Sequence, residues 1–299
     1  MDKEFDSSAY MLQEGLTLRE YQLKNLELFK YFDKFCRKHN LLYYACGGCV
    51  IGAVRHRGFI PWDCDIDVFM PRVDYEKLGK MWNKYADTDH YAYDRTTKNY
   101  NMHAQCSGIK DNYTTYIREE NKNVDMNHGI MLDIIPLDSL SNNRVNRFFQ
   151  RLNGLTFSLF NAQRLPNQQG WIFRKLAGVI YWIFKSNDVR YKIWSKAEKR
   201  FSRFRPENCN YWCELTTGIH TINLAFPKEW FAKPSEIEFE DMVMFAPTEI
   251  KRYLDMRYPG YMQYPSKDQQ KPKMNPAFID LNTPYINYKG IKYCVKNNN

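Results

Sequence analysis

Apolar residues recur at helical spacing through Leu26, Phe29, Phe32, Phe35 and Cys36, which predicts a helix running to about His39. Thr17-Leu18-Arg19-Glu20 ahead of it is a capping-box pattern, and Asn40 behind it tolerates the left-handed backbone of a helix end. Residues 41–45 then read as a short strand, Gly47-Gly48 follows, and a second apolar patch covers 50–54. Gly58 and Pro61 punctuate a loop before a strand expected over 63–70, closed by Pro71; residues 73–85 read as a helix. The mixed stretch 91–124 has room for two strands, and 129–136 is an apolar run of strand length with one embedded carboxylate. Helices are clearest at 148–160 and 171–184. From Pro206 the chain is mixed, rich in Tyr and Pro, with a polar tail at Asn297-Asn298-Asn299. The pattern predicts an α+β fold, a mixed sheet flanked by helices. We divide it into a core at 1–140, an added helical segment at 141–205, and a C-terminal part at 206–299 packing on that core.

The chemistry concentrates in Ile60-Pro61-Trp62-Asp63-Cys64-Asp65-Ile66-Asp67-Val68-Phe69. Alternate residues of a strand share a face, so Asp63, Asp65 and Asp67 point one way while Cys64, Ile66 and Val68 point into packing. Carboxylates about 6.6 Å apart along a strand can converge on a divalent cation, and hard oxygen ligands favour Mg²⁺ or Mn²⁺ over zinc. Asp133 lies inside an apolar run, where a carboxylate is costly unless neutral, paired or metal-bound. A neighbouring strand presenting it beside Asp65 and Asp67 completes a three-acid cluster; Asp63 is either a further ligand or an indirect support. Gly47-Gly48 would let the backbone approach a phosphate closely. Arg55 and Arg57 flank His56, and a guanidinium can grip phosphate oxygens with two donors; Arg55 is the candidate, against a role in bracing the loop. His56 is either a general acid or a structural hydrogen-bonding group. Trp62 is either a cation–π platform or packing under the loop.

Charge adds a second feature. The chain is +9, yet residues 141–205 hold fourteen basic and two acidic residues, a net +12, so the basicity belongs to that segment. Its aromatic- and cation-rich stretch at 171–184 reads either as an interfacial helix on an anionic membrane or as a packed helix with a solvated basic face. No recognised RNA-binding motif accompanies it, and no nucleic-acid partner is expected. The hydrophobic content of 44% suits a folded protein, and the longest apolar run, 176–184, is far short of the ~20 residues of a spanning helix. With no basic segment preceding an apolar run at the start, no secretory signal is expected. Eight scattered cysteines suggest free thiols and a cytoplasmic setting, peripheral on the inner face of the membrane if 141–205 binds there. Cys46 and Cys49, with Cys209 and Cys213, have a spacing also seen in zinc sites.

Residues 47–78, GGCVIGAVRHRGFIPWDCDIDVFMPRVDYEKL, closely resemble the signature of the LicD family of phosphotransferases. GIMLDIIPLD at 129–138 is similar to that family's third motif, and IEFEDMVMFAPTEIKRYLDMRYPGYMQYP resembles its closing segment. The resemblance spans roughly residues 16–265. It implies a nucleotidyltransferase-like fold, metal binding by Asp65, Asp67 and Asp133, and phosphate contacts at Gly47, Gly48 and Arg55. It further implies a nucleotide-diphospho-alcohol donor, foremost CDP-choline, with CDP-ethanolamine, CDP-glycerol or CDP-ribitol as alternatives, and a glycan acceptor of capsule, teichoic acid or lipooligosaccharide. Cys64 stands where the family usually has another Asp, and Pro259-Gly260 where it has Gly-Asp. The rival readings are nucleotidyl transfer to a small molecule and a non-catalytic membrane- or glycan-binding protein on the same scaffold.

Overall fold

The capping box at Thr17 forms as its spacing predicts. Thr17 N donates to Glu20 Oε2 at 2.8 Å and Glu20 N donates to Thr17 Oγ1 at 3.2 Å, satisfying two amides that a helix start leaves unpaired. The computed structural model describes residues 5–163 and 171–295; the polar tail at 297–299 and Arg164 lie outside the described residues. A hairpin of β1 (Met11–Gln13) and β2 (Leu16–Thr17) leads into α1 (Leu18–Lys38), and Asn40 takes the left-handed φ of 52°. After β3 (Tyr44–Ala45), Gly47-Gly48 and the apolar patch behind them form one helix, α2 (Gly47–His56).

The strand expected over 63–70 is displaced. Residues 63–66 alternate inward and outward but stay outside the ladder, and β4 (Asp67–Pro71) begins only where β3 and β8 (Ile130–Leu140) flank it. The helix α3 (Arg72–Tyr85) follows, and the stretch expected to hold two strands holds three, β5 (Tyr91–Asp94), β6 (Ser107–Asp111) and β7 (Thr115–Arg118). β8 outruns its apolar run because it serves three partners. Its first half pairs antiparallel with β6 and parallel with β4; its end pairs with β9 (Tyr211–Cys213), which carries β10 (Phe226–Pro227). The C-terminal part thereby adds strands to the sheet that the core begins.

Over this sheet α1 and α3 meet ring to ring, Phe35 and Trp82 at 4.5 Å between centroids, while Phe32 lies edge-on to Tyr43 at 5.3 Å. Full burial of each such ring contributes about 1.5–3 kcal/mol. The remaining elements are the hairpin β11 (Ser235–Phe239) and β12 (Met242–Ala246), α7 (Ile250–Arg257), and β13 (Pro276–Asp280), which returns to pair with β7.

The basic segment forms α4 (Arg144–Ala162), α5 (Trp171–Ile183) and α6 (Asn187–Phe201). α4 and α6 share a core in which Phe157 sits edge-on to Trp194 and Phe201. A buried ion network ties them to the sheet. Arg72 donates to both oxygens of Asp138 at 2.8 and 2.7 Å, and its third nitrogen reaches Glu76 and Glu198; Arg95 bridges the same two glutamates. Glu198, one of only two acids in the basic segment, thus ties α6 to α3 directly and to β8 through Arg72.

Candidate active site

β4 and β8 run parallel with Asp67 and Asp133 as direct register partners, so two carboxylates 66 positions apart stand side by side. Asp67 N donates to Cys49 Sγ at 3.3 Å, and Asp133 Oδ1 accepts from Cys106 Sγ at 3.4 Å. Asp63 and Asp65 arrive from the extended segment before β4. That segment is held by two buried polar residues of α1: Gln22 Nε2 donates to Asp63 O at 2.8 Å and Asn25 Nδ2 to Cys64 O at 3.2 Å. Asp65 is exposed at the mouth, and the other three are half-buried. Asp63, Cys64 and Asp65 bring ligand-capable atoms within 4.8 Å of one another.

The start of α2 presses against these acids. Gly47 has φ +58°, and a Cβ there would stand 3.3 Å from Tyr258 Oη and 3.8 Å from Asp67 Oδ2. A Cβ on Gly48 would overlap Asp63 Oδ2. Both glycines are thus needed for close approach, and no side chain caps the helix start, whose amides and dipole favour an anion. Gly47 N is engaged with Tyr253 Oη at 3.1 Å.

Crowding sets the electrostatics. Burial, followed by the charge of Asp65, pushes the Asp63 carboxyl up to about 8. Burial first, then Asp65, Asp133, Asp63 and the buried Glu214, holds Asp67 well above the carboxylate range. Burial also raises Asp133, against the opposing pull of Arg118. Crowded carboxylates of this kind offer only hard oxygen donors, which fit Mg²⁺ or Mn²⁺ better than a soft metal. Among the described residues the four cysteines at 46, 49, 209 and 213 form no metal-ligating cluster.

The other candidates divide. Arg55 donates through Nη1 to Tyr261 O at 2.8 Å and Gln263 O at 3.3 Å, and stacks 4.7 Å from the Tyr264 ring. It braces the 261–264 turn, the role set against a phosphate grip from sequence. His56 contacts Arg55 at 3.3 Å through Nε2 and lies edge-on to Tyr264. Trp62 packs among Phe5, His56 and Tyr264, with Arg55 5.8 Å from its ring.

Sequence reasoning missed Arg118. It ends β7 and faces Asp133; its side chain makes no ion pair or hydrogen bond among the described residues, and its guanidinium lies 5.7 Å over the Tyr116 ring. Burial works against its charge, but Asp133, Tyr116, Tyr21 and Glu120 outweigh it and hold the guanidinium above its ordinary value. Lys273, just before β13, eases the charge of Asp63. Both cations reach the acids through the β7–β13 pairing, which has no local signal. Gln22 and Asn25 did leave one: two amides on the apolar stripe of α1 require partners.

Paired acids on neighbouring parallel strands, with an uncapped helix start against them, make up the candidate site. Residues 40–139 match the family described as LicD/FKTN/FKRP, nucleotidyltransferase domain. The chain is 27% identical over 277 residues to the lipopolysaccharide cholinephosphotransferase LicD of Haemophilus influenzae, covering 86% of this chain and 96% of that protein. It is also 31% identical over 87 residues to the uncharacterized protein RP689 of Rickettsia prowazekii, covering 24% of this chain and 33% of that protein. The likeness to the LicD family thus covers residues 40–139 by the family match and most of the chain by the Haemophilus transferase, to which it is similar. Among the described residues no helix is long and apolar enough to cross a membrane.

Proposed function

We propose that this protein moves phosphocholine from CDP-choline onto a hydroxyl of a lipopolysaccharide-type glycan. The observation that carries the chemistry is the register pairing of Asp67 with Asp133, with Asp65 at the mouth and the α2 start against Asp63. Choline and the lipopolysaccharide acceptor come from the relative that aligns over 86% of this chain.

Asp63, Asp65, Asp67 and Asp133 would hold Mg²⁺ or Mn²⁺. Such a cation, when bound, neutralises charge on the diphosphate oxygens. The chain's own residues do the rest. The start of α2 at Gly47-Gly48 orients the donor's diphosphate, and Arg118 balances its charge from the Asp133 side. The acceptor oxygen attacks the phosphorus bearing choline in line, and its proton passes to a carboxylate oxygen of Asp133. The bond to the nucleotide phosphate breaks, and CMP leaves with the electron pair.

The test is incubation with CDP-choline, CDP-ethanolamine, CDP-glycerol and CDP-ribitol plus Mg²⁺ and acceptor glycan, read by mass spectrometry. Release of CMP with choline phosphate on the glycan is expected. Nucleotide retained on the acceptor would establish nucleotidyl transfer in its place.

A further inference from the structure

α4 is amphipathic in an unusual sense. Gln150, Gly154, Phe157, Ser158 and Asn161 form its buried face. Gln150 donates to Ser139 O and Phe201 O, and a Cβ on Gly154 would overlap Leu215 O, so the helix is locked in rotation. On the opposite face Val145, Phe148, Phe149 and Leu152 fall at i, i+3, i+4 and i+7, exposed by 63%, 62%, 53% and 49%. Four large apolar side chains in one stripe are too many for ordinary surface scatter.

The flank of this stripe is cationic and unmatched. Arg144, Arg147 and Arg151 line a groove of about 570 Å³ together with Phe148, Leu155 and Ile222. None of the three has an acidic partner among the described residues: Arg147 bonds Ser141 O and Arg151 bonds Asn223 O. α4 contains no Asp or Glu. α5 repeats the composition with Val179, Trp182 and Ile183 exposed at i, i+3 and i+4 and Lys185 beside the Trp182 ring.

We infer that the N-terminal half of α4 docks on an anionic lipid bilayer, its apolar crest entering the headgroup boundary while the arginines meet lipid phosphates. The charge complementarity fits this occupant: a duplex would require cations at the crest, and the crest here is apolar while the cations stand beside it. The inference is independent of the reaction proposed above.

Full-length protein is mixed with vesicles of phosphatidylglycerol and phosphatidylcholine, or of phosphatidylcholine alone, and floated on a density gradient. Binding is expected on the anionic vesicles, weakened by salt. Arg144→Gln and Arg151→Gln should each lower partitioning about fivefold, and Phe148→Ser with Phe149→Ser should lower it at least tenfold with the salt dependence retained. Arg144, Phe148 and Phe149 are exposed and Arg151 is half-buried, and unchanged thermal melts would confirm that the variants fold. Asp67→Asn should bind vesicles like the native chain. Equal flotation of native and Phe148/Phe149 variants, equal binding to neutral vesicles, absence of binding, or a dimer that dissociates when Phe148 and Phe149 are replaced would each overturn the inference.

Discussion

Gly48→Ala separates geometry from stability at the proposed site. The new Cβ would overlap Asp63 Oδ2 and stand 3.3 Å from its Cγ, so the carboxylate must swing away from the α2 start. Two terms set the cost to folding. Alanine in a helical position recovers about 0.5–1 kcal/mol over glycine, and Gly48 has no positive φ to forbid it. Against this, the Asp63 Oδ1 bond accepted from Cys64 N at 3.1 Å is lost, a net cost of about 1 kcal/mol. The two nearly cancel, and the melting temperature should move by no more than about 4 °C. Activity should not be spared: a group displaced by about 1 Å at a reacting centre can cost roughly 100-fold in rate. The assay pairs kcat/KM for choline phosphate transfer with a thermal melt. Full activity at an unchanged melting temperature would remove Asp63 and the α2 start from the mechanism. Parallel loss of stability and activity would make the contact merely structural.

Other consequences are independent of that contact. Asp67 carries a pKa held above its unfolded value, so it withdraws stability as pH rises past about 4. Asp67→Asn should accordingly melt higher than the native chain at pH 8 in chelator, with the gap closing toward pH 4, while activity falls at least about 100-fold; a lower melt at pH 8 would refute the acid crowding. Arg118→Gln should lower kcat/KM about 10- to 100-fold, chiefly through donor KM, since a charge-assisted bond contributes about 1.5–3 kcal/mol. An unaltered KM for the nucleotide donor would exclude its contact with the diphosphate. Asp138→Asn leaves the buried Arg72 without its two-pronged acceptor and should cost about 3–5 kcal/mol in urea denaturation; a loss below about 1 kcal/mol would show that Glu76 and Glu198 suffice.

What could be read from sequence follows from how far each interaction reaches along the chain. The Thr17 box and the end of α1 at Asn40 are closed by neighbours a few residues away, and both are legible. The period-two alternation of Asp63, Asp65 and Asp67 is also local, and it survives even though 63–66 lie outside the ladder. It registers an extended backbone, which a strand and a stretched loop share. Whether that backbone is paired depends on β3 and β8, and β8 begins 63 residues beyond Asp67. Arg55 shows the same boundary from the other side. Its position just before the carboxylates suggested a phosphate, while the bonds its guanidinium makes, to Tyr261 and Gln263 some 206 residues on, carry no local signal. Arg118 is the converse: nothing near it in sequence marks it, and only β8 and β13 bring it beside the acids. An acid in an apolar strand announces a need for compensation, as Asp133 did, because burying its charge is costly wherever the partner comes from. A cation that supplies the compensation carries no such mark, since an arginine at a strand end is ordinary on any surface. Sites built by charge pairing across a sheet are therefore half legible: the side that would be unstable alone can be found, and its complement emerges only from topology.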